Sequence, residues 1–170
     1  MRILIIGAGA LLLAACSEEA PKEAAKPVPA TLPAGQYEVT TTVKTLASTD
    51  GTPVPTFAKA GDTIKTSGCV GADGLPAPEL LAAKGDVCQL QNPYIRSGRL
   101  GLQLDCTRKG QGKIMADVTG KYTADGFDGT LTATSYFSGS GDYKLVEEIP
   151  ARKTADVCSA AAGTTAPTKA

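Results

Sequence analysis

From Ala116 to Ala133 the chain alternates apolar and polar residues through a short turn, and this period of two constrains the fold more than any other feature. A turn at Ala124-Asp125 pairs Tyr122 with Phe127, Gly120 with Gly129, Val118 with Leu131 and Ala116 with Ala133 on one face. The other face pairs Lys121 with Asp128 and Thr119 with Thr130. Opposite charges and threonine pairs suit a solvated sheet face, each contributing roughly 0.2–1 kcal/mol. A division this clean specifies register, because a slip of one residue turns every side chain to the wrong face. The pattern predicts an antiparallel sheet with one buried face.

Tyr37, Val39, Thr41 and Val43 share a face of a first strand, and Thr63 to Val70 gives a second. The segment between them, Thr45 to Gly61 with Pro53 and Pro55, reads as turns. Pro78 to Lys84 predicts a short helix, with Pro78 near its first turn and Gly85 after its end. After Asp86 the pattern is an antiparallel meander. A three-residue loop, Arg96-Ser97-Gly98, sets Tyr94 opposite Leu100, Leu90 opposite Leu104 and Cys88 opposite Cys106. A two-residue loop would instead put Leu90 opposite Asp105 and flip one apolar face outward, so the pattern favours the three-residue loop. Pro93 lacks a ladder donor and marks an edge or a bulge. A last strand, Asp142 to Ile149, turns Tyr143, Leu145 and Ile149 inward, and Glu147 breaks that pattern. A bulge near Val146 would turn Glu147 out; otherwise it is a buried carboxylate in need of a partner. The expected fold is mostly β: a curved antiparallel meander or incomplete barrel with one short helix and two disulfides.

The 170 residues carry equal numbers of acidic and basic side chains, five cysteines and no histidine. A neutral chain without a basic run gives no electrostatic reason to expect nucleic-acid binding. Without histidine, Ser-His-Asp and Cys-His sites cannot be built, and the commonest metal ligand is missing. Cys69, Cys88, Cys106 and Cys158 contain no CxxC pair, which favours disulfides over a metal site. Of three connectivities, the hairpin register selects Cys88–Cys106 and leaves Cys69 for Cys158. No cofactor, no metal and no enzymatic activity are expected.

At the N-terminus, Arg2 and an apolar run from Ile3 to Leu13 lead into Leu13-Ala14-Ala15-Cys16, followed by Ser17, Glu18 and Glu19. The run is shorter than the roughly 20 residues of a membrane span and fits a signal-peptide core. Gly7 and Gly9 begin a dinucleotide fingerprint, but Leu12 stands where the third glycine would, and no βαβ pattern follows. Leu13 to Cys16 resembles the lipobox of bacterial lipoproteins, whose cysteine receives a diacylglycerol and becomes the first residue after cleavage. That resemblance implies a signal peptide over residues 1–15 and a lipidated Cys16; the Ala/Pro/Lys/Glu-rich stretch after it reads as a flexible tether through residue 34, and the end, poor in large apolar residues, as a disordered tail over 159–170, which leaves a β domain over 35–158. Multiple acyl chains give stable anchoring on a membrane without spanning it. Ser17, in place of the aspartate linked to inner-membrane retention, implies the periplasmic face of the outer membrane.

The start "PAGQYEVTTTV", a cysteine after the second strand, paired central cysteines, a Gly/Thr-rich meander and a final cysteine after basic residues resemble the bacterial envelope family called domain of unknown function 3617. Gly35, Tyr37 and Glu38 match its Pro-Gly-x-Trp-Glu motif, with Tyr37 for the tryptophan. "RKTADVC" is similar to its Arg-x-Gly-x-Cys ending, with Asp156 in the glycine position. The resemblance covers Pro33 to Cys158 and implies an exported, disulfide-bonded β-rich domain without an established activity.

One candidate ligand site follows from the hairpin. Gly120, Gly129, Ala116 and Ala133 either let the sheet bend, as glycines do at barrel corners, or floor an apolar groove walled by Tyr122, Phe127, Val118 and Leu131, able to take an apolar small molecule. Met115, Thr134 and Tyr136, on the wet face, offer a surface to an envelope protein partner. Asp125 and Asp128 read as turn residues, and Asp105 and Asp117 as exposed strand positions. The expected function is a non-enzymatic, periplasm-facing binding module, with a purely structural envelope module as the alternative.

Overall fold

A computed structural model describes residues 27–54 and 58–159. The predicted signal, Cys16 and most of the tether lie outside them, as does the tail beyond Ser159. The described residues form eight antiparallel strands: β1 (Gly35–Ser48), β2 (Thr63–Val70), β3 (Asp86–Arg96), β4 (Arg99–Arg108), β5 (Gly112–Thr123), β6 (Gly126–Phe137), β7 (Tyr143–Glu148) and β8 (Ala151–Ala155). The sheet order is β2-β1-β7-β6-β5-β4-β3, and β8 pairs with β1 and β6.

The pairings β1–β7–β6–β8 close a four-stranded ring, and register explains how. β7 and β8 are collinear. On the β1 side, Val43 pairs with Glu147 and Val39 with Ala151; on the β6 side, Leu131 pairs with Glu147 and Phe127 with Ala151. Pro150 interrupts the line. Thr40 N–H donates to the Pro150 carbonyl at 2.9 Å, but proline has no N–H to return the bond. β7 and β8 therefore act as one central strand that joins a β1–β2 unit to a β3–β6 meander.

The β5–β6 hairpin has the register that alternation predicts at every position, from Ala116–Ala133 to Tyr122–Phe127. The β3–β4 hairpin does not. Arg96 pairs with Arg99 across a two-residue turn in which Ser97 and Gly98 both have positive φ, 52° and 75°. That turn matches strand twist, which is why it is favoured over a longer loop. A bulge between Gln91 and Tyr94 then absorbs one residue, so Leu90 still meets Leu104 and Cys88 still meets Cys106. The bulge carries Pro93, on the edge strand. Tyr94 consequently pairs with Gly101 on the outer face, and Ile95 takes the place opposite Leu100.

Other expectations also shift. β1 continues to Ser48, into the segment read as turns. The predicted helix over Pro78–Lys84 is only a 3₁₀ turn, Pro78–Leu80. The segment is too short to offset helix nucleation, and Gly85 turns the chain at φ 92°. The turn places Leu80 in the core, between the two edge strands β2 and β3. The packed domain also begins before Gly35. Leu32 is 1% exposed, the Tyr122 hydroxyl donates to the Ala30 carbonyl at 2.9 Å, and the Tyr37 hydroxyl donates to the Pro33 carbonyl at 2.7 Å. The last part of the expected tether is thus folded.

Both disulfides are present, Cys69–Cys158 and Cys88–Cys106. Gln36 reinforces the first: its amide donates to Ser67 Oγ at 2.7 Å and accepts from Ser159 N–H at 2.9 Å, so strand β1 holds the residue next to Cys158.

Candidate functional site

The inner face is filled. Tyr122, Phe127, Val118 and Leu131 are core side chains. The groove expected over Gly120 and Gly129 is occupied by protein. A Cβ at Gly129 would lie 3.4 Å from Ile149 Cγ1, and a Cβ at Gly120 would lie 2.8 Å from Gly129 Cα. The glycines allow two backbones and Ile149 to come close; they do not floor an open space. What remains inside is a void of about 20 Å³, lined by Ala116, Leu131, Ala133, Ile114, Leu81 and Glu147. That is room for about one water molecule.

Glu147 stays inside because the register shift lies across from it on β1, between Val43 and Thr45, instead of on β7 near Val146. It is 9% exposed and makes no hydrogen bond or ion pair among the described residues. Burial pushes its carboxyl up to about 7. Asp86 and Arg108, also beside the core, form a pair at 2.6 Å. The Arg108 guanidinium lies 6.0 Å from the Phe137 ring centre and 5.9 Å from that of Tyr143.

The outer face carries a larger feature. A depression of about 340 Å³ opens over β3, β4 and β5. Gly101 provides its floor. A Cβ there would meet nothing closer than Tyr94 Cβ, 3.8 Å away. Tyr94 forms one wall and remains 49% exposed. Arg96 lies over one face of the ring, with Cζ 5.7 Å from its centre, which leaves the other face for contact. Across the floor runs a polar relay. Asn92 Nδ2 donates to Gln103 Oε1 at 3.2 Å, and Gln103 Nε2 donates to Asp117 Oδ1 at 3.3 Å. Thr119 lines the far side. Asn92 holds a positive φ of 46°, within the bulge that turns Tyr94 outward.

Sequence reasoning missed this site because it placed Tyr94 in the core. The signal was Pro93: a proline in a hairpin strand marks an irregularity, and an irregularity of one residue exchanges faces. The remaining candidates lie apart. Met115 and Tyr136 are exposed on the outer face, where Met115 pairs with Thr134. Asp105 pairs with Lys113 at 3.3 Å and Asp128 with Arg152 at 2.8 Å. No cluster of metal-ligating side chains occurs among the described residues.

No curated protein and no solved structure matches the chain. One family model does, described as protein of unknown function (DUF3617), over residues 27–158. The match starts with the N-terminal segment that packs on the domain and stops at the cysteine bonded to Cys69. The chain belongs to the DUF3617 family.

Proposed function

We propose that this protein is a non-enzymatic binding module, held on the periplasmic face of the outer membrane by a lipid on Cys16, and that its ligand sits in the depression at Tyr94 and Gly101. The observation that carries this reading is the 340 Å³ depression, since among the described residues the packed inner face beside Glu147 leaves a void the size of one water molecule. Ligand sites begin at about 300 Å³. A bulge and a bare glycine are devices that shape such sites. The non-enzymatic part is supported by the absence of histidine from the sequence and by the engagement of the Asp86 carboxylate with Arg108.

The test is native mass spectrometry of the protein released from its own envelope. A retained mass that disappears in Gly101→Leu, with the fold intact by circular dichroism, is the expected result. A mass retained equally by that variant removes the depression from consideration. The filled interior favours a second reading, a structural module without ligand, which predicts no retained mass in either protein. Fractionation tests the anchor: Cys16→Ser should leave the membrane fraction or remain unprocessed, and an unmodified Cys16 in the wild type would overturn lipidation.

A further inference from the structure

We infer that the depression binds a saccharide, stacked on Tyr94 and hydrogen-bonded to the Asn92–Gln103–Asp117 relay. This rests on the binding-module reading and gives it a ligand class.

The argument begins with the mixture of surfaces. Tyr94 offers a half-exposed aromatic ring at one side of a floor that has no side chain. A sugar ring has one apolar face of C–H groups and a rim of hydroxyls. The apolar face fits against an aromatic ring, whose face is negative and whose body is large and rigid. The rim needs partners that both donate and accept. Asn92 and Gln103 each carry a carbonyl oxygen and an NH₂ group, Thr119 carries a hydroxyl, and Asp117 accepts only. Asn92 donates to Gln103, and Gln103 in turn donates to Asp117, so the carbonyl oxygen of Asn92 and the second oxygen of Asp117 face no partner within that relay. Hydroxyls can complete such a set without a change in its geometry.

A wholly apolar ligand fits less well. It would cover Asn92, Gln103, Asp117 and Thr119 without replacing their water, which costs free energy for each group. A strongly anionic ligand would meet Asp117. A neutral, hydroxyl-rich ring meets neither cost. The setting also suits a rigid ligand. The floor and one wall are paired strands, β4 and β5, with unbroken register from Arg99–Lys121 to Arg108–Gly112. The Tyr94 wall is set by the bulge and steadied by Arg96.

The experiment is a ¹H–¹⁵N NMR titration of the full chain with cellobiose, with N,N′-diacetylchitobiose and with decanoate, each at millimolar concentration. Saccharide binding predicts shifts confined to the amides around Asn92, Gly101 and Thr119 with at least one disaccharide. Tyr94→Ala and Gly101→Leu should each weaken binding by about tenfold or more, and Tyr94→Phe should retain it. Both positions are on the outer face, and amide spectra of the variants report that the fold is kept. Shifts with decanoate alone at these residues would overturn the saccharide and leave the binding module standing. Silence with all three probes would overturn both. Disaccharide binding that survives Tyr94→Ala unchanged would also overturn the inference, since the ring would then play no part.

Discussion

The β5–β6 and β3–β4 hairpins have similar lengths and lie side by side, β4 paired with β5, yet they solve opposite problems. β5–β6 is internal to the sheet and keeps one register across all its pairs. Its inner face is consumed by packing, down to the glycines that let Ile149 lie against β6. β3–β4 ends the sheet, changes register once and presents an aromatic ring outside the core. The difference teaches where a β domain has room for function. A central hairpin has no freedom to misplace a residue, because neighbours on both sides fix it. An edge strand has one free side, and a bulge there costs no second ladder.

The contrast can be broken most severely at the disulfides. Cys88–Cys106 staples only the edge hairpin and encloses a separation of 18 residues, whereas Cys69–Cys158 encloses 89. Replacing Cys69 and Cys158 by alanine should cost roughly 4–5 kcal/mol, against about 3 kcal/mol for the edge pair. Chemical denaturation of the two double variants decides the ranking. Equal losses would mean that loop length does not set the ranking, and that the β3–β4 edge is as integral as the β2 edge that Cys158 ties down.

A matched pair of glycine substitutions comes next. Gly120→Leu drives a side chain into the Asp128–Gly129 backbone and should cost upwards of about 3 kcal/mol. Gly101→Leu, in the adjacent strand but facing open space, should change stability by less than about 0.5 kcal/mol. Melting curves of both are the measurement, and similar losses would refute the division between a filled and an open face.

Glu147 sharpens the same division through pH. Its carboxyl binds a proton more tightly folded, at about 7, than unfolded, at 4.5. Its contribution is therefore intact below pH 4.5, declines as pH rises from there to 7, and has been lost above that. The total is about 3 kcal/mol at 1.36 kcal/mol per pKa unit. Glu147→Gln should abolish this decline and gain most above pH 7. A wild-type stability that is flat between pH 4.5 and 7, or equal in the variant, would contradict a desolvated carboxyl.

A small gain is expected at the β3–β4 turn. Ser97 occupies a left-handed position that asparagine tolerates better. Ser97→Asn should therefore stabilise by about 0.5 kcal/mol. A loss of stability would argue against the two-residue turn.

How far the fold was legible follows from these same residues. Alternation sufficed for β5–β6, where both faces were unambiguous, and for the Cys88–Cys106 pairing. It failed at Tyr94 because two irregularities, a shorter turn and a bulge, cancel everywhere in the hairpin except between them. Leu90 and Cys88 look the same under either arrangement, so only the three residues nearest the turn distinguish them. The groove failed for another reason. Small residues announce a close approach but do not name what approaches, and Ile149 belongs to a different strand. β8 escaped notice because Pro150 ends the apparent strand, although the chain continues along the same line beyond it.

That continuing line has a consequence for the order of assembly. The strand that joins β1–β2 to the β3–β6 meander follows both in sequence, and Val39, paired with Thr66 on one side, gains its second partner only when Ala151 is in place. Until then the nascent chain has two sheet fragments, each with an unpaired edge that ends at the future junction. Such non-local pairing is slow, because loop closure must precede the contacts that reward it. Truncation before Tyr143, which removes both β7 and β8, should leave fragments that associate through those edges: the collinear pair hides both edges at once.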